Sequence, residues 1–215
     1  MTGGFPLDLI LFGMIAAFLV LRLRSVLGRR TGFERPPADR PVAVPPVMGP
    51  ADAVAPVTRR GVPDSRGPVG QALARIRGTD PNFDPAAFLN GAEGAFRMIV
   101  EGFAAGNRPL LRDLLSDDTY AGFEGAITER ESKGERQRTE IREIRDATIE
   151  AADLRGTVAD VTVRFVSDQV NLTTDATGKP VAGADAVTEL TDIWTFQRDL
   201  RSSDPTWKLV GTRSA

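Results

Sequence analysis

The stretch Asp80–Leu115, DPNFDPAAFLNGAEGAFRMIVEGFAAGNRPLLRDLL, decides the architecture of this chain. Asp84-Pro85 is a helix start: an aspartate oxygen caps free backbone N–H groups, and proline suits a first position whose N–H has no helical partner. Phe88, Ala92, Phe96, Ile99 and Phe103 follow at spacings of four, four, three and four, which places them on one helical stripe. Gly106 suits a left-handed helix stop. Asn107 then caps a shorter helix in which Leu110, Leu111, Leu114 and Leu115 form the buried face. Ser116 to Asp118 restart the chain, and Tyr120, Phe123 and Ile127 mark a third helix ending near Gly134.

After Gly134 the period changes from helical to two. Ala147, Ile149 and Ala151 alternate within a charged segment, and Ala159, Val161, Val163 and Phe165 alternate with Asp160, Thr162 and Arg164. Asp175 to Gly178 reads as a turn. Leu190, Trp194 and Phe196 share one strand face, with Thr191, Ile193, Thr195 and Gln197 on the other. Ser203-Asp204-Pro205 is a second turn, and Trp207, Leu209 and Gly211 lie on a last strand. Period-2 strands joined by short turns predict an antiparallel sheet. Three helices followed by about four strands predict an α+β body with the helices on one sheet face.

Upstream, Leu9–Leu21 is a 13-residue uncharged run containing Leu9, Ile10, Leu11, Phe12, Ile15, Phe18, Leu19 and Leu21. Extended to roughly Phe5–Leu23, it approaches the ~20 residues a membrane-crossing helix needs. Asp8 precedes the run, whereas Arg22, Arg24, Arg29 and Arg30 follow it, and no Ala-x-Ala site comes after. A cleaved secretory signal has the reverse order of charge. The reading is a retained single-pass anchor whose arginines stay in the cytoplasm. That places the N-terminus outside and the C-terminal domain in the cytoplasm. Nine of the 15 prolines fall between Pro36 and Pro68. Proline removes backbone donors and favours extended conformations, so residues 31–78 read as a semi-rigid spacer. A docking peptide for a partner is the alternative. Val69, Leu73 and Ile76 in the last ten residues of that spacer share a helical face, suited to packing on the body or touching anionic lipid. The division is therefore an anchor with basic flank at 1–30, a spacer at 31–78 and a folded body at 79–215.

Charge obeys the same division. Residues 1–30 carry four bases and one acid, residues 31–78 seven and four, and residues 79–215 sixteen and 24, giving +3, +3 and −8 within a total of −2. So acidic a body argues against nucleic-acid binding. With no Cys, disulfides, thiol nucleophiles and Cys-held metals are excluded. With no His, the commonest general base and metal ligand is absent. No GxxxxGK[ST] phosphate loop and no metal-ligand spacing occurs, so neither cofactor nor metal is expected.

The run at 80–115 resembles the opening helices of the Tim44-like family, the membrane-side adaptor domain of the mitochondrial inner-membrane protein translocase. VADVTVRFVSDQVNLTTDATG (158–178) and LTDIWTFQRDLRSSDPTWKLVGTR (190–213) resemble its strands. The likeness covers roughly residues 70–215. Bacterial members combine a membrane helix, a Pro-rich linker and this domain, as this chain does. It differs from the mitochondrial members in lacking a presequence and the long charged region that engages a chaperone motor. The resemblance implies a fold similar to nuclear transport factor 2, a curved antiparallel sheet wrapped around helices as a cone with an apolar interior. It also implies an adaptor that docks protein partners at the membrane, with lipid contact through the N-terminal helix, rather than an enzyme.

Related cones include isomerases and dehydratases with a buried Asp, so the carboxylates need weighing. Asp160 and Asp192 lie on strands, and Tyr120 is the only phenol. Asp192 shares parity with Leu190 and Trp194 and either faces inward as a base, lies at the sheet rim, or pairs with an arginine such as Arg164 or Arg198. Phe96, Phe103, Tyr120, Phe123, Phe165 and Trp194 either line a pocket for a lipid or small apolar ligand or simply fill the core. Glu129–Asp146 holds six bases and six acids. It reads as a salt-bridged surface, or else as a docking face for a charged partner.

Overall fold

The computed structural model describes residues 61–214. All of them lie within the compact unit Val54–Ala215. The anchor, the arginines that follow it and most of the spacer lie outside the described residues. Among the described residues, no helix is long and apolar enough to cross a membrane.

Among the described residues, four helices precede four strands: α1 (Pro68–Thr79), α2 (Pro85–Ala105), α3 (Arg108–Leu114), α4 (Asp117–Ser132), β1 (Arg136–Arg155), β2 (Val158–Thr174), β3 (Pro180–Asp199) and β4 (Lys208–Ser214). The helix starts follow from their caps. Asp84 Oδ1 accepts from Ala86 N at 3.0 Å and Ala87 N at 2.8 Å, Asn107 Oδ1 from Leu110 N, and Ser116 Oγ from Thr119 N. Gly106 ends α2 in the left-handed conformation at φ 68°, where a side chain would be strained. Residues 68–79, which composition groups with the spacer, form a helix that buries Leu73 and Ile76 in the core of the body.

The strands form one open antiparallel meander in the order β1-β2-β3-β4. Registration of Ile149 with Val163, Val163 with Trp194, Val161 with Phe196 and Phe196 with Leu209 gathers these residues on one face. The helices cover that face, and residues of both layers form a single apolar cluster. The opposite face carries ions and hydroxyls. Arg164 pairs with Asp146 at 3.0 Å and Glu150 at 2.9 Å, Arg145 with Asp168 at 2.6 Å, and Thr162 meets Thr195 at 2.9 Å. A sheet with one covered face has this division.

β1 departs from simple alternation. Its register shifts at three places, leaving Arg142, Arg145 and Glu150 as extra residues. Each bulge bends the strand and adds twist. Each also flips the parity of the residues beyond it. Ile141, Ile144, Ala147, Ile149, Ala152 and Leu154 pack toward the core, whereas Ala151 is exposed. The alternation expected through Ala151 is thus corrected to Ala152, because the extra Glu150 shifts the phase.

The chain joins the body at the free side of β1. Ile149 N donates to Gly61 O at 2.9 Å. Gly61 has φ 81°, and a Cβ there would lie 2.0 Å from Ala147 O. Gly61→Ala is expected to cost about 2 kcal/mol through strain and this clash, read as a lowered urea midpoint of the full chain. Phe96→Ala, which empties a fully buried ring site, is expected to cost about 3–5 kcal/mol in the same measurement.

Candidate functional site

The aromatic residues picked out by the sequence fall in three places. Phe96 of α2 stacks on Phe165 of β2 with centroids 4.5 Å apart and rings 21° from parallel, and Trp194 of β3 tilts against Phe96 at 4.7 Å. These three are buried and fill space against one another. Phe103 and Phe123, both half-buried, meet edge to face at 5.1 Å where α2 passes α4. Tyr120 has its ring buried beneath Arg112, whose guanidinium carbon lies 4.1 Å from the centroid, and its hydroxyl donates to Glu124 Oε1 at 3.1 Å.

A groove of about 350 Å³ lies elsewhere, between the α1–α2 connection and the β3–β4 connection. Phe83, Phe88 and Trp207 form its apolar wall, with Phe88 and Trp207 4.8 Å apart and Phe83 5.7 Å from Trp207. Asp80 and Arg198 join across it at 3.1 Å, with side chains only 13% and 16% exposed. Asn82, Asp84, Ala87 and Pro205 complete the lining. The Nε of Arg198 is buried and has no hydrogen-bond partner. Asp84 points its second oxygen toward Arg77 at 3.3 Å. Sequence reasoning did not assemble this groove, because its parts come from three stretches that only the fold brings together.

A second polar feature crosses the covered side. Arg130 Nη1 donates to Gln137 Oε1 at 2.5 Å, Gln137 Nε2 to Thr139 Oγ1 at 3.1 Å, and Thr139 Oγ1 to Asn171 Oδ1 at 2.7 Å. Asn171 Nδ2 then donates to Gln169 Oε1 at 3.2 Å, and Gln169 Nε2 to Ser167 Oγ at 2.9 Å. The donors all run one way, from a cation toward a hydroxyl. Arg130 Nη2 also donates to Phe103 O and Ala104 O at 2.9 and 3.1 Å, satisfying carbonyls at the end of α2. Burial holds its pKa below the ordinary arginine value, opposed by nearby Glu131. Sequence reading placed Arg130 within a solvated charged run. Elsewhere that run is paired: Lys133 with Glu129 at 2.6 Å, Arg142 with Glu140 at 2.8 Å, and Arg145 with Asp168 and Glu189.

Of the two candidate carboxylates, Asp160 pairs with Arg155 and accepts from Gln197 Nε2 at 2.7 Å on the outer face. Asp192 lies opposite Phe165 on one side and Ser214 on the other. Arg164 and Arg198 are engaged elsewhere, with Asp146 and Glu150 and with Asp80 respectively. Desolvation pushes Asp192 up to about 6, and a hydrogen bond from Ser214 partly opposes this. Among the described residues no group of three or more acids, histidines or cysteines is arranged to hold a metal.

The pattern of the Tim44-like domain family matches residues 69–214, more than half of the chain, and the chain belongs to that family. Comparison with the curated proteins finds no match. Among solved structures, the intermembrane space region of the chloroplast protein ARC6 is similar at 14% identity and TM-score 0.46, over 62% of this chain and 98% of that one. A conserved protein from Planctomyces limnophilus DSM 3776 is similar at 16% identity and TM-score 0.35, over 60% of this chain and 99% of that one.

Asp192 gives the site a measurable signature. Its folded pKa is raised above the unfolded value of ~3.9, so between about pH 4 and pH 6 the folded chain binds more protons than the unfolded one. Its contribution to stability therefore falls as pH rises through that window. Asp192→Asn is expected to be more stable than the parent above pH 6, by about 1–3 kcal/mol, with the advantage gone near pH 4. Urea midpoints across that range check it.

Proposed function

We propose that this chain is a membrane-tethered adaptor that docks protein partners at the cytoplasmic face of a bacterial inner membrane, in the biogenesis or assembly of envelope proteins. The single observation that carries the proposal is the Tim44-like domain match across residues 69–214, since the family's domains are adaptors and scaffolds that bind proteins. In this reading Leu9–Leu21 is the anchor and meets membrane lipid. Arg22, Arg24, Arg29 and Arg30 set its orientation, and the Pro-rich stretch up to α1 is the spacer. The four-stranded sheet and its helices form the cone-like body similar to nuclear transport factor 2.

Binding is favoured over catalysis by the state of the acids. Asp160 is neutralised by Arg155. Asp192 meets Ser214 rather than a histidine or phenol. Tyr120 is turned to Glu124. A lipid or small apolar ligand site, or an enzyme of the same cone, is the alternative. The stacking of Phe96, Phe165 and Trp194 on one another speaks against a lumen at those rings.

In-cell crosslinking with mass spectrometry on the full chain is expected to recover stoichiometric translocase, chaperone or envelope-protein partners. Recovery of a small apolar ligand with no protein partner would overturn the adaptor reading. Protease added outside intact spheroplasts is expected to spare the body. Digestion under those conditions would reverse the orientation.

A further inference from the structure

We propose that the C-terminal end of β4, Thr212–Ser214, is a proton-gated latch on β3. It lies closed over Asp192 while that carboxyl holds a proton, and lifts when the carboxyl is ionised, lengthening the unpaired edge of β3. The proposal is independent of the adaptor reading and starts from the ladder. β2 pairs with β3 along its whole length, whereas β4 covers only Asp192–Gln197. Among the described residues, Pro180–Thr191 therefore has no strand on its second side. Asp192 with Ser214 is the last pair of the β3–β4 ladder, and Thr212, Arg213 and Ser214 are exposed. Asp192 itself turns inward. It lies opposite Phe165, which is fully buried, and shares a strand face with Trp194. The ladder thus ends on a carboxyl that faces the apolar interior, covered by the exposed end of the shortest strand.

The surroundings of that carboxyl decide the sign. β2 presents Phe165 and, at its next inward position, Ser167; β3 presents Leu190 and Trp194; β4 presents Ser214, with Arg213 turned to the other face. α3 and α4 lie against β4, but their arginines are engaged elsewhere: Arg108 with Glu131, Arg112 over Tyr120 and Arg130 with Gln137. Ala215 lies outside the described residues. Burial of an ionised carboxylate with no cation beside it is costly, whereas a protonated carboxyl buries more easily. Accordingly desolvation pushes Asp192 up to about 6, opposed only by the Ser214 hydrogen bond, and no charged group among the described residues adds to the shift. With the latch lifted, water reaches the carboxyl and its pKa returns toward ~3.9. The closed form holds the proton more tightly, so closure is favoured at low pH and weakens as pH rises from about 4 to about 6.

The test follows amide hydrogen exchange of the full chain in mild detergent, read on the peptides that carry the end of β4 and the middle of β2. Parent and Asp192→Asn are compared at equal pH, so the chemical exchange rate of the amides cancels. The ratio of exchange at the end of β4, parent over variant, is expected to rise about 25-fold between pH 4.5 and pH 7. Low concentrations of urea are expected to leave that exchange unchanged while speeding exchange in β2, because the latch opens without unfolding the body. Ser214→Ala removes the hydrogen bond that opposes the upward shift, and is expected to move the midpoint of the pH response higher. A ratio that stays flat with pH overturns the proposal. Exchange at the end of β4 that accelerates with urea in step with β2 also overturns it, since the pH response then belongs to unfolding of the whole body. An unmoved midpoint in Ser214→Ala overturns the contact between the latch and Asp192.

Discussion

Phe96 holds the body together. It lies on the middle of α2 with no exposed surface, its ring stacked on Phe165 and tilted against Trp194. Through those contacts one helix is fixed over the two central strands, and the remaining helices arrange themselves around it. The sheet can present one apolar face only because a long apolar stripe lies across it, and burial of such surface is the dominant favourable term in folding. The outer face then has no apolar partner to find, and it closes its charges into pairs among Arg164, Asp146 and Glu150 and between Arg145 and Asp168.

The helices were legible in the sequence because their signals are local. Asp84, Asn107 and Ser116 each cap within three residues of themselves, and Gly106 stops α2 by its own backbone freedom. β2 was legible because its inward residues keep strict period two from Ala159 to Phe165. β1 was not, since three extra charged residues each reset the phase, and no short window of sequence distinguishes a bulge from a change of face. α1 was legible in its face but not in its place: Val69, Leu73 and Ile76 fall on one helical side and pack on the body as that face suggested, but a stretch too short to be stable alone that follows a proline-rich run was grouped with the spacer.

The polar features obey the same logic at longer range. The parity of Asp192 with Trp194 was readable, but its pairing was not, because Arg198 is drawn to Asp80 on the far side of the chain order. Arg130 looked like one more charge in a mixed run. Its burial arises because α2 ends beside α4, leaving the carbonyls of Phe103 and Ala104 in need of donors. Ser167, Gln169 and Asn171 sat at inward positions of a strand that had been apolar up to Phe165, and that switch marks where the helices give way to a hydrogen-bonded chain. The inner face is thus apolar under α2 and polar beyond it.

That division bears on where such a body makes contact with something else. The apolar half is filled by its own rings, and the polar half by its own hydrogen bonds, so neither leaves chemistry unspent. Between the connections at the end of the sheet, the arrangement is different. Asp80 and Arg198 are 118 residues apart in the chain, and their pair ties the α1–α2 connection to the end of β3. With both side chains mostly withdrawn from water, losing one partner strands the other as an uncompensated charge, which costs far more than the pair contributes when intact. The ion pair therefore acts as a brace: it fixes the distance between the two connections and holds Phe83 and Trp207 as facing parts of one wall.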